Sequence, residues 1–371
     1  MVVTQSGART AGAPRAHESV GPAGPPTRRS KPITWWAWVG AAALAMQIYV
    51  MGAWVLTDFT PTPTGSTPQS TWDQVWGYFW QIGGCLVWAG FVYWFVVRPI
   101  RRTGTIPLDG LLVLCFTLIV WQDPFCNYVK PWGTYNTHLI QWGSWVEHVP
   151  GWMSPNGSNF SEPLLVMIPV YVWGVLGFAM IGCAVMRAFK RRFPATGTAG
   201  MLAFCYGFFL IVDLVLETLW MRTGIWAYPG GGTFTLFDGS RYQFPIKEMF
   251  LWGAAWAAFT CLRYFRNDRG QTFAERGAEH LTASPWRRTG IQFLALYGAI
   301  NVLYLVCYNL PMNVMNMHNT TWSEGVQEIS YMNDGLCGEG TDYACPTADT
   351  PIPWNGSAHL RPDGTLAPPT R

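Results

Sequence analysis

The sequence predicts an all-α fold: a polytopic membrane helix bundle of about seven transmembrane helices, N-terminus inside and C-terminus outside. Three observations predict it. Half of the 371 residues are hydrophobic and only 12% are charged, against about 25% charged in soluble domains. Runs of roughly 20 apolar residues recur, each long enough to cross a hydrocarbon core of about 30 Å. Tryptophan is abundant, with 22 copies, and Trp and Tyr collect at membrane interfaces. The net charge of +3 comes without any basic block interleaved with aromatics, so the partner expected is the lipid bilayer and not nucleic acid.

Residues 1–34, rich in Ala, Gly, Pro and Arg, read as a disordered cytoplasmic tail held inside by Arg28, Arg29 and Lys31. The transmembrane domain is expected over 35–311. Its spans fall at 35–56, 75–97, 107–122, 163–186, 199–221, 245–264 and 289–310. The second stops at Arg98, Arg101 and Arg102, the fourth at Arg187, Lys190, Arg191 and Arg192, and an arginine-rich connector follows the sixth. With this alternation 18 of the 24 Lys and Arg fall in inner segments and six in outer ones, the bias of a positive-inside topology. Residues 312–371 read as an extracytoplasmic polar tail. It contains Cys337 and Cys345, for which a disulfide and a pair of free thiols are both open readings.

The outer segment 123–162 is unusually aromatic for a loop and holds Asp123, Tyr128, Tyr135, Asn136, Glu147, His148 and Glu162. Loops this long are functional or disordered, and its Trp and Leu content argues for a folded cap, with an interfacial helix around 137–146. The plainer reading makes its tryptophans a belt that anchors the loop at the headgroups.

Within the spans, polar residues fall at helical spacing. Tyr206, Asp213 and Glu217 share one stripe of the fifth span. Ionisable groups inside a span are costly and usually face a cavity, although Asp213 can equally make a buried hydrogen bond to a neighbouring helix. Tyr297, Asn301, Tyr304 and Tyr308 share a face of the seventh span, where packing between helices is the competing explanation. Glu248, Trp252 and Trp256 share a face of the sixth. The exit from the fifth span adds Arg222, Trp226 and Tyr228, and the following connector adds Tyr242. No span contains a histidine, the seventh span has no lysine, and no P-loop, GxSxG or HExxH motif is present. No cofactor and no metal is expected.

The blocks DPFCNY (123–128), TYNTHL (134–139), GSWVEHVPGWMSPNG (143–157), EPLL (162–165), RTGIWAYPG (222–230) and LFDGSRYQFPIKE (236–248) resemble the avermectin-type spirocyclase family, the AveC-like integral membrane proteins of actinobacteria. The likeness covers about residues 35–320. It implies a multi-pass protein of the cell membrane that takes a hydrophobic, polyketide-like substrate. The reaction implied closes a dihydroxy-ketone into a spiroketal with loss of water, followed in some members by a further dehydration.

The residues suit such a reaction, which needs an acid, a base and a dry site for an oxocarbenium ion. Two carboxylates as close as Asp213 and Glu217 do not ionise together easily, so they are the expected acid–base pair, with Glu248 or Asp123 as a second carboxylate. Tyr228, Asn301 and Tyr304 are expected to orient substrate oxygens, and Trp226 and Trp252 to line the chamber. Tyr128, Tyr135, Asn136, Glu147, Glu162, His148, Tyr242 and Tyr308 are further contact candidates. Arg222 is expected either in the substrate site or paired with Glu217. Two other functions fit the same residues: a carrier or transporter of a hydrophobic metabolite coupled to Asp213, and a membrane cyclase or isomerase acting on an isoprenoid.

Overall fold

A computed structural model describes residues 32–232, 234–317, 322–333, 335–347 and 353–370. Almost all of the N-terminal tail, with Arg28, Arg29 and Lys31, lies outside the described residues. Seven long helices follow one another: α1 Pro32–Thr57, α2 Thr71–Thr103, α3 Leu108–Asn127, α4 Leu164–Arg192, α5 Thr198–Met221, α6 Ile246–Tyr264 and α7 Pro285–Asn316. Six are long and apolar enough to cross a membrane, α6 being the one that is not. The fold is thus an all-α membrane bundle. Helix α6 carries Lys247, Glu248 and Arg263 among its apolar residues, and its inward face buries Glu248, Trp256 and Phe259.

Local chemistry sets the helix limits. Helix α2 begins where the Ser70 hydroxyl accepts the Asp73 N–H at 3.1 Å, an N-cap for the first turn. Helices α4 and α5 are separated where α4 ends in Lys190, Arg191 and Arg192, and Lys190 bonds the carbonyls of Pro194 and Thr196. Three helices contain π-turns, at Phe79–Gly83 and Tyr93–Val97 in α2, Val170–Leu176 in α4 and Leu305–Asn309 in α7. A π-turn accommodates one extra residue and often marks a functional site.

The buried residues of α5 are Met201, Cys205, Phe209, Asp213, Glu217 and Met221, a strict spacing of four. The opposite face exposes Leu202, Ile211, Val215 and Leu219, as a lipid-facing surface would. Asp213 and Glu217 therefore point into the bundle, whereas Tyr206 is off the stripe and reaches the carbonyl of Phe250.

Over one end of the bundle lies the cap, residues 128–163, tied down by the α5–α6 connector and the C-terminal segment. Strand β1 (Thr134–Tyr135) pairs antiparallel with β2 (Trp226–Ala227). Trp322, Leu336 and Cys337 join Val50, Trp54, Trp121 and Trp145 in a second apolar cluster. Cys337 and Cys345 are disulfide-bonded. The helix expected around 137–146 does not form: that stretch is turn and extended chain, with only a single 3-10 turn at Val146–His148. Side chains take the backbone groups a helix would have used. Gln141 Oε1 accepts the N–H groups of Gly143 and Thr62, while its Nε2 donates to the Thr62 and Thr137 carbonyls.

Candidate active site

Beneath the cap, α3 to α7 line a cavity of about 60 Å³. Its walls bring together two carboxyl–phenol clusters, each assembled from several elements.

The first is built on Asp123, in the last turn of α3. Asp123 Oδ1 accepts the Tyr171 hydroxyl at 2.6 Å, and Oδ2 accepts that of Tyr135 at 2.7 Å. Tyr171 comes from the π-turn of α4 and Tyr135 from β1. The Tyr304 hydroxyl of α7 stands 2.5 Å from that of Tyr171. Glu162, at the end of the cap, is 1% exposed, and neither of its carboxyl oxygens accepts a hydrogen bond. Burial first, and then the charge of Asp123, hold the Glu162 carboxyl well above the usual carboxylate range. Held in its neutral form, Glu162 would have a proton to offer Asp123. Burial, together with Asp123 and Glu162, also raises the Tyr135 phenol, so Tyr135 is a donor.

The second cluster is built on Glu217 of α5 and Glu248 of α6. Tyr228, the residue directly after β2, donates to Glu217 Oε1 and lies 3.1 Å from Glu248 Oε1. Glu248 also accepts the Tyr308 hydroxyl at 2.5 Å and the Trp132 indole N–H at 3.2 Å. Burial, and then the charges of Glu217 and Glu248, push the Tyr228 phenol well up, so it too is a donor. One phenol proton cannot be given fully to two carboxylates, so a proton shared along the Glu217–Tyr228–Glu248 line would complete both contacts. Asp213 is fully buried behind Glu217, and among the described residues no geometric hydrogen bond reaches either of its oxygens or Glu217 Oε2.

Stacked rings join the two clusters. Trp252 lies 5.4 Å from Tyr304, 4.8 Å from Tyr308 and 5.6 Å from Trp256, all near-parallel. Trp132 stacks on Tyr228 at 5.2 Å and closes the cap side.

Of the residues singled out from the sequence, Asp123, Tyr135, Glu217, Trp226, Tyr228, Trp252, Tyr304 and Tyr308 line this cavity. Glu248, Asp213 and Glu162 stand immediately behind them. The others lie elsewhere and hold the frame. Tyr128 bonds the Pro150 carbonyl, Asn136 the Gly224 carbonyl, Glu147 the Gly157 N–H, and His148 pairs with Asp58. Asn301 accepts from Trp121 and Gln122 between α7 and α3. The expected Arg222–Glu217 pair does not form. The Arg222 guanidinium lies 4.5 Å over the rings of both Phe237 and Tyr242, because Glu217 faces inward while Arg222 ends the helix beside the connector.

Sequence reasoning missed Tyr171, Trp132 and Thr134. Trp256, on the same face as Glu248 and Trp252, also lines the cavity, as do Cys126 and Trp220.

The family described as "Spirocyclase AveC-like" matches residues 101–332, well over half of the chain. The chain belongs to the AveC-like spirocyclase family. No curated protein and no solved structure gives a match. The range shared with the AveC-like family begins within α2 and ends in the C-terminal segment, so it contains all five buried carboxyls of the site and every phenol that binds them. Membership gives the protein a spirocyclase-type role as an enzyme.

Proposed function

We propose that this chamber closes a dihydroxy-ketone of polyketide type into a spiroketal, with release of one water. The observation that carries the reading is the pair of carboxyl–phenol clusters on one capped, aromatic-walled cavity. Closure proceeds in two additions. One hydroxyl of the substrate adds to the ketone, giving a hemiketal. The hemiketal hydroxyl is then protonated and leaves as water, and the second hydroxyl attacks the oxocarbenium carbon and loses its proton.

The Asp123 cluster suits the acid. Glu162 carries a proton beside Asp123, and Tyr135 and Tyr171 present phenol O–H groups at the cavity wall. Glu217 suits the base, because it lines the cavity and Tyr228 holds only one of its two carboxyl oxygens. A proton taken there passes along the line to Glu248, and the cycle closes when the Asp123–Glu162 pair, one proton short after water has left, regains it. Between the clusters, the faces of Trp252, Tyr304 and Tyr308 stabilise the cation, and the cap keeps out the water that would recapture it. Asp213 positions Glu217 and holds the charge of the pair inside the bundle.

Glu217→Gln and Asp123→Asn test this assignment. Each is expected to lower kcat by about a hundredfold or more, the scale of general acid–base catalysis, with helicity and melting behaviour retained. Full activity in both variants would remove the two clusters from the chemistry.

A further inference from the structure

We propose that the chamber is loaded sideways from the bilayer, through a portal between α2, α4 and α5 closed by Trp80, Trp173 and Trp220. The inference rests on the reading of this cavity as a substrate chamber, and its test needs no turnover.

The cavity reaches the α4–α5 seam through Val170, Gly174 and Trp220. Just outside stands a cluster of indoles. Trp80 and Trp173 stack at 5.6 Å with 5° between their planes. Both meet Trp220 edge-on, at 5.9 and 5.6 Å, and Trp220 meets the cavity residue Trp226 at 5.9 Å. Beyond the rings the surface is apolar and exposed: Phe79 (54%) and Ile82 (61%) on α2, Leu219 (56%) on α5. A lipid-soluble molecule in the bilayer would meet these residues before the rings.

The seal is held differently from the cap side and from the α3–α7 wall. On the cap side, β1 and β2 pair through backbone bonds, Trp132 bonds Glu248, and Asn136 bonds Gly224. Between α3 and α7, Gln122 and Trp121 bond Asn301. At the seam the rings touch but bond little: the indole nitrogens of Trp173 and Trp226 are buried without partners among the described residues, and the rings' own link is Trp80 to the Thr223 hydroxyl at 3.2 Å, flanked by Trp72 to the Arg222 carbonyl and Cys85 to the Leu165 carbonyl. Ring contacts open by side-chain rotation on fast timescales, whereas the other walls must break hydrogen bonds. Both helices also carry a π-turn here, at Phe79–Gly83 and Val170–Leu176, where backbone hydrogen bonding is already loosened.

Cys126 provides a native reporter, because it lines the chamber. The full-length protein in lipid nanodiscs would be treated with N-cyclohexylmaleimide, which partitions into lipid, or with a water-borne trimethylammonium methanethiosulfonate. Occupancy at Cys126 is read by peptide mass spectrometry, each rate being normalised to that reagent's rate on a free model thiol. The uncharged reagent is expected to modify Cys126 at least about tenfold faster than the cation, which the hydrocarbon excludes. Trp220→Ala is expected to raise the maleimide rate about tenfold further, a gate residue having been removed, and Trp132→Ala, on the cap side, to leave it unchanged. Equal normalised rates for the two reagents, acceleration by Trp132→Ala alone, or no reaction at Cys126 in any of these proteins would overturn the portal.

Discussion

The hydroxyls of Tyr171 and Tyr304 stand 2.5 Å apart, and because Tyr171 gives its proton to Asp123, Tyr304 is the donor between them. The two phenols and the carboxylate form one directed chain. Tyr171→Phe breaks it in the middle and should lower kcat by about ten- to a hundredfold, the range of a single positioned catalytic hydrogen bond. Tyr304→Phe removes only the end and should cost less. In the double variant the losses should not add, since Tyr304 has nothing to donate to once Tyr171 is gone. A double-mutant cycle on kcat checks this, and strict additivity would show the two phenols to act independently.

Tyr228 is the bridge of the second cluster. Tyr228→Phe keeps the ring that stacks on Trp132 and removes the hydroxyl shared by Glu217 and Glu248. The expected outcome is a fall in kcat with little change in KM, together with a moved pH–rate profile, because the shared proton loses its path. A KM effect alone would make Tyr228 a binding residue.

Glu162 gives the protein a pH dependence whose sign can be worked out. Its folded-state carboxyl is raised above the unfolded value, so it contributes stability fully present below the ordinary carboxylate range and lost as pH rises through the folded-state value. Thermal melts of the nanodisc-embedded protein from acidic to alkaline pH should therefore show a decline that Glu162→Gln flattens. An identical slope in both proteins would place the titration elsewhere.

The frame around the site depends on a buried ion pair. Arg241 holds Asp73 through two bonds, at 2.6 and 2.9 Å, and Tyr331 adds a third at 2.9 Å. This joins the start of α2, the α5–α6 connector and the C-terminal segment. Gly224, at φ 71°, packs against the same carboxylate, and a Cβ there would lie 2.4 Å from Asp73 Oδ1. Arg241→Ala leaves Asp73 buried and short of a cation, and should destabilise by about 2–3 kcal/mol, below the cost of breaking a fully buried pair because Arg241 is 23% exposed. Arg241→Lys should recover only part of this, since an ammonium lacks the two-pronged geometry. Denaturation midpoints of the two variants measure the difference.

The sequence made the bundle legible because apolar runs alternate with basic clusters, and both signals follow directly from the bilayer. The fifth span's acidic stripe was legible for the same kind of reason: a regular helix puts Asp213 and Glu217 on one face. Tyr171 was not, because it sits in the π-turn of α4, where an extra residue shifts the phase that helical counting relies on. Trp132 was hidden in a loop, and its partner Glu248 is 116 residues away. The pairing of Thr134 with Ala227 involves strands of two residues each, too short to leave a pattern. Arg222 misled for an electrostatic reason: its charge is met by the faces of Phe237 and Tyr242, not by the nearest acid in the chain.

The central claim is that the chamber imposes a single course on ring closure. A symmetric dihydroxynonanone, with a central ketone and terminal hydroxyls, is achiral, but its spiroketal is chiral at the shared carbon. Chiral chromatography of the product formed by the nanodisc-embedded protein measures this directly. Accelerated formation of one enantiomer in excess is expected, with both the acceleration and the excess lost in Glu217→Gln. Racemic spiroketal at the uncatalysed rate would contradict it.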